Sequence, residues 1–197
     1  RRLRFFLKIF DEYSIYLTQS QKVKTLHFLK DLLLHKGEDI RKESAELIGK
    51  LIAFYDEEYR KELPKNPIYY RHKEKSEDLL DEFLNMLLFP DHKIADTQKE
   101  WLYNLKNMID SLFKNCYETH YKKFFDVISR YYEICHELSP IAQFYLSQSI
   151  DYVPVDSLDE ERLLKLFDYT IKQLDSDNLE LRLTTLDSIS QMLVKTQ

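Results

Sequence analysis

The sequence predicts an all-α protein of roughly nine helices arranged as antiparallel hairpins. Apolar residues recur at helical spacing along almost the whole chain of 197 residues. Glycine, which sharp turns and strand-rich folds use freely, occurs only at Gly37 and Gly49. Leu, Lys, Glu, Ile and Tyr predominate and Val is scarce, which favours helices over strands.

Capping residues and apolar faces predict the first three helices. A leading helix occupies residues 1–18, and the capping-box spacing of Thr18 and Gln21 opens the second helix. Gly37 is expected just past that helix, in a left-handed conformation. In the third helix, we expect Glu46 and Lys50 on the solvent side. Its apolar face consists of Ile40, Ser44, Leu47, Ile48, Leu51, Ile52 and Tyr55.

Prolines and further capping pairs predict the later helices. Pro64 and Pro67 end the third helix, and a fourth begins near Ser76 and ends at Pro90. Later helices are predicted to begin at the pairs Thr97–Glu100, Ser139–Pro140, Ser157–Glu160 and Asp177–Glu180. The eighth helix is expected to pack through Leu163, Leu164, Leu166, Phe167 and Ile171. We expect a single domain spanning residues 1–197. It begins with the leading helix 1–18 and continues with four helical hairpins, 19–62, 76–115, 117–152 and 158–196.

Composition limits the classes of function. The net charge of −5 gives no global attraction to nucleic acid or to an anionic membrane. The two cysteines, Cys116 and Cys135, are too few for a disulfide scaffold and indicate a reducing, cytoplasmic environment. No apolar run reaches the ~18 residues that a membrane span needs. The N-terminal segment reads as the middle of an amphipathic helix, so we expect a fragment of a larger protein.

Two segments repeat the same pattern 141 positions apart, which is seen when Ile40 and Arg41 are superposed on Leu181 and Arg182. The superposition also pairs Ser44 with Thr185, Ile48 with Ile189, Gly49 with Ser190 and Leu51 with Met192. A glycine inside a helix costs up to about 1 kcal/mol and is tolerated where a neighbouring helix must approach closely. We therefore expect a neighbouring helix to contact Gly49.

This pattern resembles the HEAT and armadillo-like helical repeat family. The residues that match its second helix are Asp39, Ile40, Arg41, Ala45, Ile48 and Gly49, and the C-terminal copy keeps Asp177, Leu181, Arg182 and Ile189. The resemblance implies an α-α superhelix, a HEAT-like solenoid whose hairpins stack side by side. It also implies a structural role for Arg41 and Arg182, which would tie one hairpin to the next.

The sequence lacks the usual motifs of catalysis and cofactor binding. With two isolated glycines it contains neither a phosphate-binding loop nor a GxSxG elbow, and it contains no HExxH motif. The best metal candidates are Cys116, His120, Cys135 and His136. Cys135 and His136 are consecutive and would diverge by ~100° on a helix, so we expect no metal site. The interpretation is a non-enzyme without a cofactor.

One segment could contact a partner directly. Residues 61–75 are rich in Lys and Arg, and Tyr69, Tyr70, Arg71, His72 and Lys73 could stack on bases or contact phosphates. A solvated loop that covers a hairpin edge is the favoured interpretation of the same residues. The sequence thus favours a scaffold or regulatory module that binds a protein partner or a neighbouring domain. The alternative is a nucleic-acid-binding repeat domain that uses the basic segments 1–10 and 61–75.

Overall fold

The computed structural model of the protein describes residues 2–57, 74–90 and 98–195. Within these ranges the chain forms nine α-helices and no strand, so the prediction of an all-α protein is confirmed. The helices are α1 (Arg2–Tyr13), α2 (Gln19–Leu32), α3 (Glu38–Ala53), α4 (Ser76–Leu88), α5 (Gln98–Asn115), α6 (Tyr121–Glu133), α7 (Pro140–Gln148), α8 (Glu160–Gln173) and α9 (Leu179–Lys195). Short 3-10 helices at Ser14–Tyr16, Glu118–His120, Cys135–Glu137, Ser149–Tyr152 and Val155–Ser157 connect several of them.

The helices contact one another in a regular order. Each odd-numbered helix packs on the next odd-numbered helix, so that one row consists of α1, α3, α5, α7 and α9. In a second row, α4 packs on α6 and α6 packs on α8. Helices that are consecutive in the chain also pack together, as in the pairs α2–α3, α4–α5 and α8–α9. A continuous apolar core runs through these contacts from α1 to α9.

The close approach expected at Gly49 occurs between α3 and α5, which share the most extensive contact of any two described helices. A Cβ atom built on Gly49 would lie 2.2 Å from the carbonyl oxygen of Met108 and 2.9 Å from the backbone nitrogen of Leu112. Ser111 of α5 also donates a hydrogen bond of 2.5 Å to the carbonyl of Glu46. The backbones of the two helices therefore touch, which only glycine permits at position 49.

Polar contacts hold α1 against α3. The ammonium group of Lys50 lies 2.8 Å from the carboxylate of Asp11 and also donates to the Asp11 carbonyl. Arg4 pairs with Asp39 at 3.2 Å and with Glu43 at 3.0 Å. Glu46 and Lys50 both reach the solvent side as expected, but Lys50 is only partly exposed because α1 covers part of that side of α3.

A buried lysine closes the C-terminal end of α3. Lys22 of α2 is 0% exposed, and its ammonium group donates hydrogen bonds to the carbonyls of Phe54 and, at 2.6 Å, of Glu57. The last carbonyls of a helix lack partners within the helix and carry partial negative charge. A cation there satisfies both needs, so Lys22 joins α2 to the end of α3. Sequence patterning gives no sign of this role, because position 22 looks like any polar residue of an amphipathic helix.

Two predicted helix starts are confirmed at the level of individual hydrogen bonds. Thr18 and Gln21 form a reciprocal capping box at the start of α2. Ser139 accepts from the backbone nitrogen of Ala142, and Pro140 occupies the first turn of α7. Thr97, which was expected to begin α5, lies outside the described residues.

The residues predicted at three other helix ends are wrong. Gly37 has φ −86° rather than a left-handed conformation and is the N-cap of α3. The cap of α8 is Asp159 and not Ser157, because the Asp159 carboxylate accepts from the backbone nitrogen of Arg162 at 3.1 Å. At α9, Asn178 and not Asp177 accepts from the backbone nitrogen of Leu181. At α8 and α9 a neighbouring side chain reaches the free backbone donors better than the residue with the formal spacing.

Candidate functional site

The predicted partner-contact residues Tyr69, Tyr70, Arg71, His72 and Lys73 lie outside the described residues. At the N-terminal basic segment, the guanidinium of Arg4 is paired with two carboxylates of α3. This pairing removes part of the positive charge that the alternative, a nucleic-acid interface, would use.

The two repeat arginines make the same contact. Arg41 donates to the carbonyl of His35 at 2.8 Å, and Arg182 donates to the carbonyl of Ser176 at 2.6 Å. Each acceptor lies six residues before its arginine, in the turn that precedes the helix. The arginines therefore hold a turn within their own hairpin and do not join one hairpin to the next.

The other matched positions of the two repeat copies have only partly similar environments. Ile40 and Leu181 are both buried at the start of their helices. Gly49 is buried against α5, whereas its counterpart Ser190 is exposed and donates to the carbonyl of Leu186. The glycine position therefore matters only in the copy that another helix contacts closely.

The thiols have the environment of structural cysteines. Cys116 is buried and Cys135 is half-buried, and both are free. Burial raises the pKa of Cys116 to about 12 and that of Cys135 to about 11. No group of three or more His, Cys, Asp or Glu side chains within 2–57, 74–90 and 98–195 is arranged to hold a metal ion.

We expect Cys135 to react slowly with iodoacetamide at neutral pH. Only the thiolate reacts, and a pKa about two units above the ordinary value leaves roughly 100-fold less thiolate than in a free cysteine. The alkylation rate, followed by mass spectrometry, should rise about tenfold per pH unit between pH 7 and 10. In urea, Cys135 should react at the rate of N-acetylcysteine, and rapid alkylation of the folded protein at pH 7 would contradict the buried environment.

Large aliphatic side chains are exposed on the sides of α8 and of α9 that face away from each helix's buried residues. We call this set the leucine face, and it consists of Leu164, Ile171, Leu179, Leu183, Leu186 and Leu193. Leu164 is the most exposed of the six, at 62%. The expectation that Leu164 and Ile171 pack inside the domain is therefore wrong, since Leu166 and Tyr169 bury the inner side of α8 instead.

The leucine face has the spacing of a helix–helix seam. Along α9, positions 179, 183, 186, 190 and 193 alternate four and three residues apart, and only Ser190 among them is polar. This is the spacing of the a and d positions in coiled coils. The buried side of α9 uses a different set, Leu181, Thr185, Ser188 and Met192. A row of leucines beside a second row of small and apolar residues on one helix is the signal that sequence analysis could have used.

A groove lies on another part of the same hairpin, where the C-terminal ends of α6 and α8 meet α7 and the first turn of α9. We call it the α6–α8 groove; its cavity volume is about 420 Å³. It is lined by Tyr132, Glu133, Cys135, His136, Gln143, Tyr169, Lys172, Gln173, Asp175, Ser176 and Leu181. These residues span fifty positions of the chain without any motif spacing, so sequence analysis missed the groove.

Tyrosines and an amide form the buried part of the α6–α8 groove. The Tyr169 hydroxyl donates to the Glu133 carboxylate at 2.6 Å, and burial together with this carboxylate raises the pKa of Tyr169. Tyr132 lies beside Tyr169 with 5.9 Å between ring centroids. Gln173 is 6% exposed, and its side-chain oxygen accepts from Ser147 at 2.6 Å. The Gln173 side-chain nitrogen has no hydrogen-bond partner among the described residues.

The charged groups of the α6–α8 groove leave two carboxylates without a counterion. Lys172 pairs with Asp168, which is outside the groove, at 2.6 Å. Glu133 and Asp175 form no ion pair with any residue in the ranges that the structure describes. Both carboxylates are exposed at the rim. The groove therefore combines an apolar aromatic wall, an unpaired amide donor and excess negative charge.

Comparisons of this chain with protein-family models, with curated proteins and with solved structures found no match. The described helices include none that is both long enough and apolar enough to cross a membrane.

Proposed function

We propose that this chain is a non-catalytic protein-binding scaffold or regulatory module, built as an α-solenoid and contacting its partner through the leucine face. The regular order of helix contacts supports the solenoid, because stacked hairpins place alternate helices in two rows. The partner is another protein or a neighbouring domain of the same chain. The two free thiols support a reducing, cytoplasmic location.

The observation that carries this proposal is the exposure of six large aliphatic side chains on two adjacent helices. Four of them lie on one side of α9, four, three and seven residues apart, and a contiguous exposed apolar patch marks an interaction surface. The four-and-three spacing on α9 is suited to packing against an amphipathic helix of a partner. The apolar residues of the partner's helix would pack between Leu179, Leu183 and Leu186. We therefore propose that the partner contributes a helix.

Replacing Leu183 and Leu186 together with Glu should abolish partner binding. The partner is first isolated on the immobilised chain, then purified, and its affinity is measured by calorimetry. Each leucine lies at the centre of the leucine face, where buried interface residues contribute most of the binding energy. We expect the affinity to fall at least about 30-fold for each substitution.

Gln191→Glu is the matched control, because Gln191 lies on the exposed surface of α9 outside the leucine face. It adds one negative charge to the same helix, as each Leu→Glu change does, and should leave the affinity unchanged. Both leucines are exposed, so the variants should melt at the wild-type temperature or above. Equal binding by the double variant and the wild type would refute the leucine face as the interface.

The same protein tests the nucleic-acid alternative. With a net charge of −5 and a partly neutralised N-terminal segment, binding to labelled DNA or RNA should be weak and lost near physiological salt. Sub-micromolar binding that survives physiological salt, and that disappears when Arg71, Lys73 and Lys75 are changed to Glu, would favour the nucleic-acid function instead.

A further inference from the structure

We infer that the α6–α8 groove is a second binding site, which accepts the side chain of an arginine from a protein partner. The inference rests on the proposed function in one respect, namely that the arginine belongs to a protein partner. The site differs from the leucine face in place and in chemistry, since the groove is polar and negatively charged whereas the leucine face is apolar.

Charge selects a cation as the ligand. Glu133 and Asp175 lie at the rim without an ion pair among the described residues, while the positive charge of Lys172 is already paired with Asp168. An anion in the groove would meet two carboxylates, and the basic side chains that line the groove, Lys172 and His136, already lie beside Asp168 and Glu137. A guanidinium could bind both, because it carries five donors in a planar fork that matches carboxylate geometry.

The aromatic wall favours guanidinium over ammonium. Tyr132 and Tyr169 line the groove side by side, and a planar cation stacks on such rings better than a compact ammonium does. The apolar part of an arginine side chain would lie against these rings. The volume of about 420 Å³ accommodates the side chain and a short stretch of peptide.

Gln173 provides the contact to the peptide backbone. A buried donor without a partner is unfavourable, and native proteins rarely leave one unused. The side-chain nitrogen of Gln173 is such a donor, and Gln173 lines the groove. A carbonyl group of the peptide that carries the arginine is the matching acceptor.

The N-terminal repeat copy shows that this fold can hold an arginine beside carboxylates, although Asp39 and Glu43 there correspond to positions 180 and 184 and not to Glu133 and Asp175. A cavity of about 410 Å³ lies beside the turn before α3, and its lining includes His35 and Ile40, the counterparts of Ser176 and Leu181 in the α6–α8 groove. Arg4 from α1 lines this cavity, and its guanidinium pairs with Asp39 and Glu43. Beside the turn before α9, two carboxylates are present but no arginine of the described chain pairs with Glu133 or Asp175.

The experiment is an NMR titration of the ¹⁵N-labelled chain with the blocked tripeptide acetyl-Ala-Arg-Ala-amide. We expect saturable, millimolar binding that shifts the side-chain amide signal of Gln173. Tripeptides with Gln or Lys in place of Arg should bind at least about tenfold more weakly, since they lack the charge or the planar fork. Combined Glu133→Gln and Asp175→Asn substitutions should weaken the arginine peptide about tenfold.

Asp177→Asn is the matched control, because Asp177 is an exposed acid two residues from Asp175 that does not line the groove. It should leave the affinity unchanged. Equal binding of the three tripeptides, unchanged binding by the Glu133→Gln and Asp175→Asn variant, or the absence of a Gln173 shift would each overturn the inference. The titration needs no natural partner, and the leucine-face variant should bind the peptide like the wild type. Failure here leaves the leucine face standing, and failure of the leucine face leaves the groove standing.

Discussion

Replacing Gly49 with Ala should lower the free energy of unfolding by about 1–3 kcal/mol, and replacing it with Leu should lower it further. The new Cβ atom would lie 2.2 Å from the carbonyl oxygen of Met108 and 2.9 Å from the backbone nitrogen of Leu112. Both atoms belong to the backbone of α5 and cannot rotate away as a side chain could. The two helices would have to separate along their most extensive contact.

Two effects oppose this loss in the alanine variant. Alanine is a better helix former than glycine by about 1 kcal/mol, and it restricts the unfolded chain. Sequence alone therefore leaves the sign of Gly49→Ala open. The backbone contact decides it, because packing at 2.2 Å is far inside any van der Waals distance.

Gly37→Ala is the control for these effects in a urea titration monitored by circular dichroism. At Gly37 the nearest atom to a new Cβ is the Nδ1 atom of the His35 side chain at 3.3 Å, and φ is −86°. A side chain can shift by the few tenths of an ångström required, but alanine is a poorer N-cap than glycine, so we expect a loss of at most about 1 kcal/mol. A Gly49→Ala protein as stable as the wild type would mean that α3 and α5 do not touch at this position.

Sequence patterning predicts the helices well because each depends on neighbours in the chain. Thr18 and Gln21 cap the start of α2, and Ser139 and Pro140 begin α7. The start of each helix is therefore encoded within four residues of the chain. The glycine at position 49 also predicts a helix contact, because the cost of a mid-helix glycine requires some compensation. It does not identify α5 as the neighbour, since that depends on how the hairpins stack.

The groove and the leucine face depend on which sides of the helices the stack covers. Leu164 and Leu166 are equally apolar, yet only Leu166 is buried, because α8 presents one side to its neighbours. In the same way, Glu133 and Asp175 are ordinary surface acids in the sequence. They share a groove only because the ends of α6 and α8 lie side by side.

Replacing Lys22 with Met should lower the free energy of unfolding by about 3 kcal/mol. Methionine fits the space of the lysine stem but cannot donate to the carbonyls of Phe54 and Glu57. Among the described residues, the Phe54 carbonyl would keep only its bond of 3.0 Å from the backbone nitrogen of Glu57. Hydrogen bonds from a charged donor are worth more than neutral ones, and a buried acceptor that loses its donor bears the full desolvation cost. The favourable interaction of a cation with the C-terminal end of α3 is lost as well.

Lys24→Met is the control, because Lys24 lies on the exposed side of the same helix. The substitution makes the same change in charge and side-chain length as Lys22→Met. Its unfolding free energy should stay within about 0.5 kcal/mol of the wild type. Hydrogen exchange locates the effect, since the amides of Phe54 and Tyr55 at the end of α3 should lose protection in Lys22→Met before those of α9 do. Equal stability of the two lysine variants would show that the end of α3 does not depend on Lys22. A larger loss at Lys22 with uniform exchange would show that the lysine stabilises the whole stack instead of this helix end.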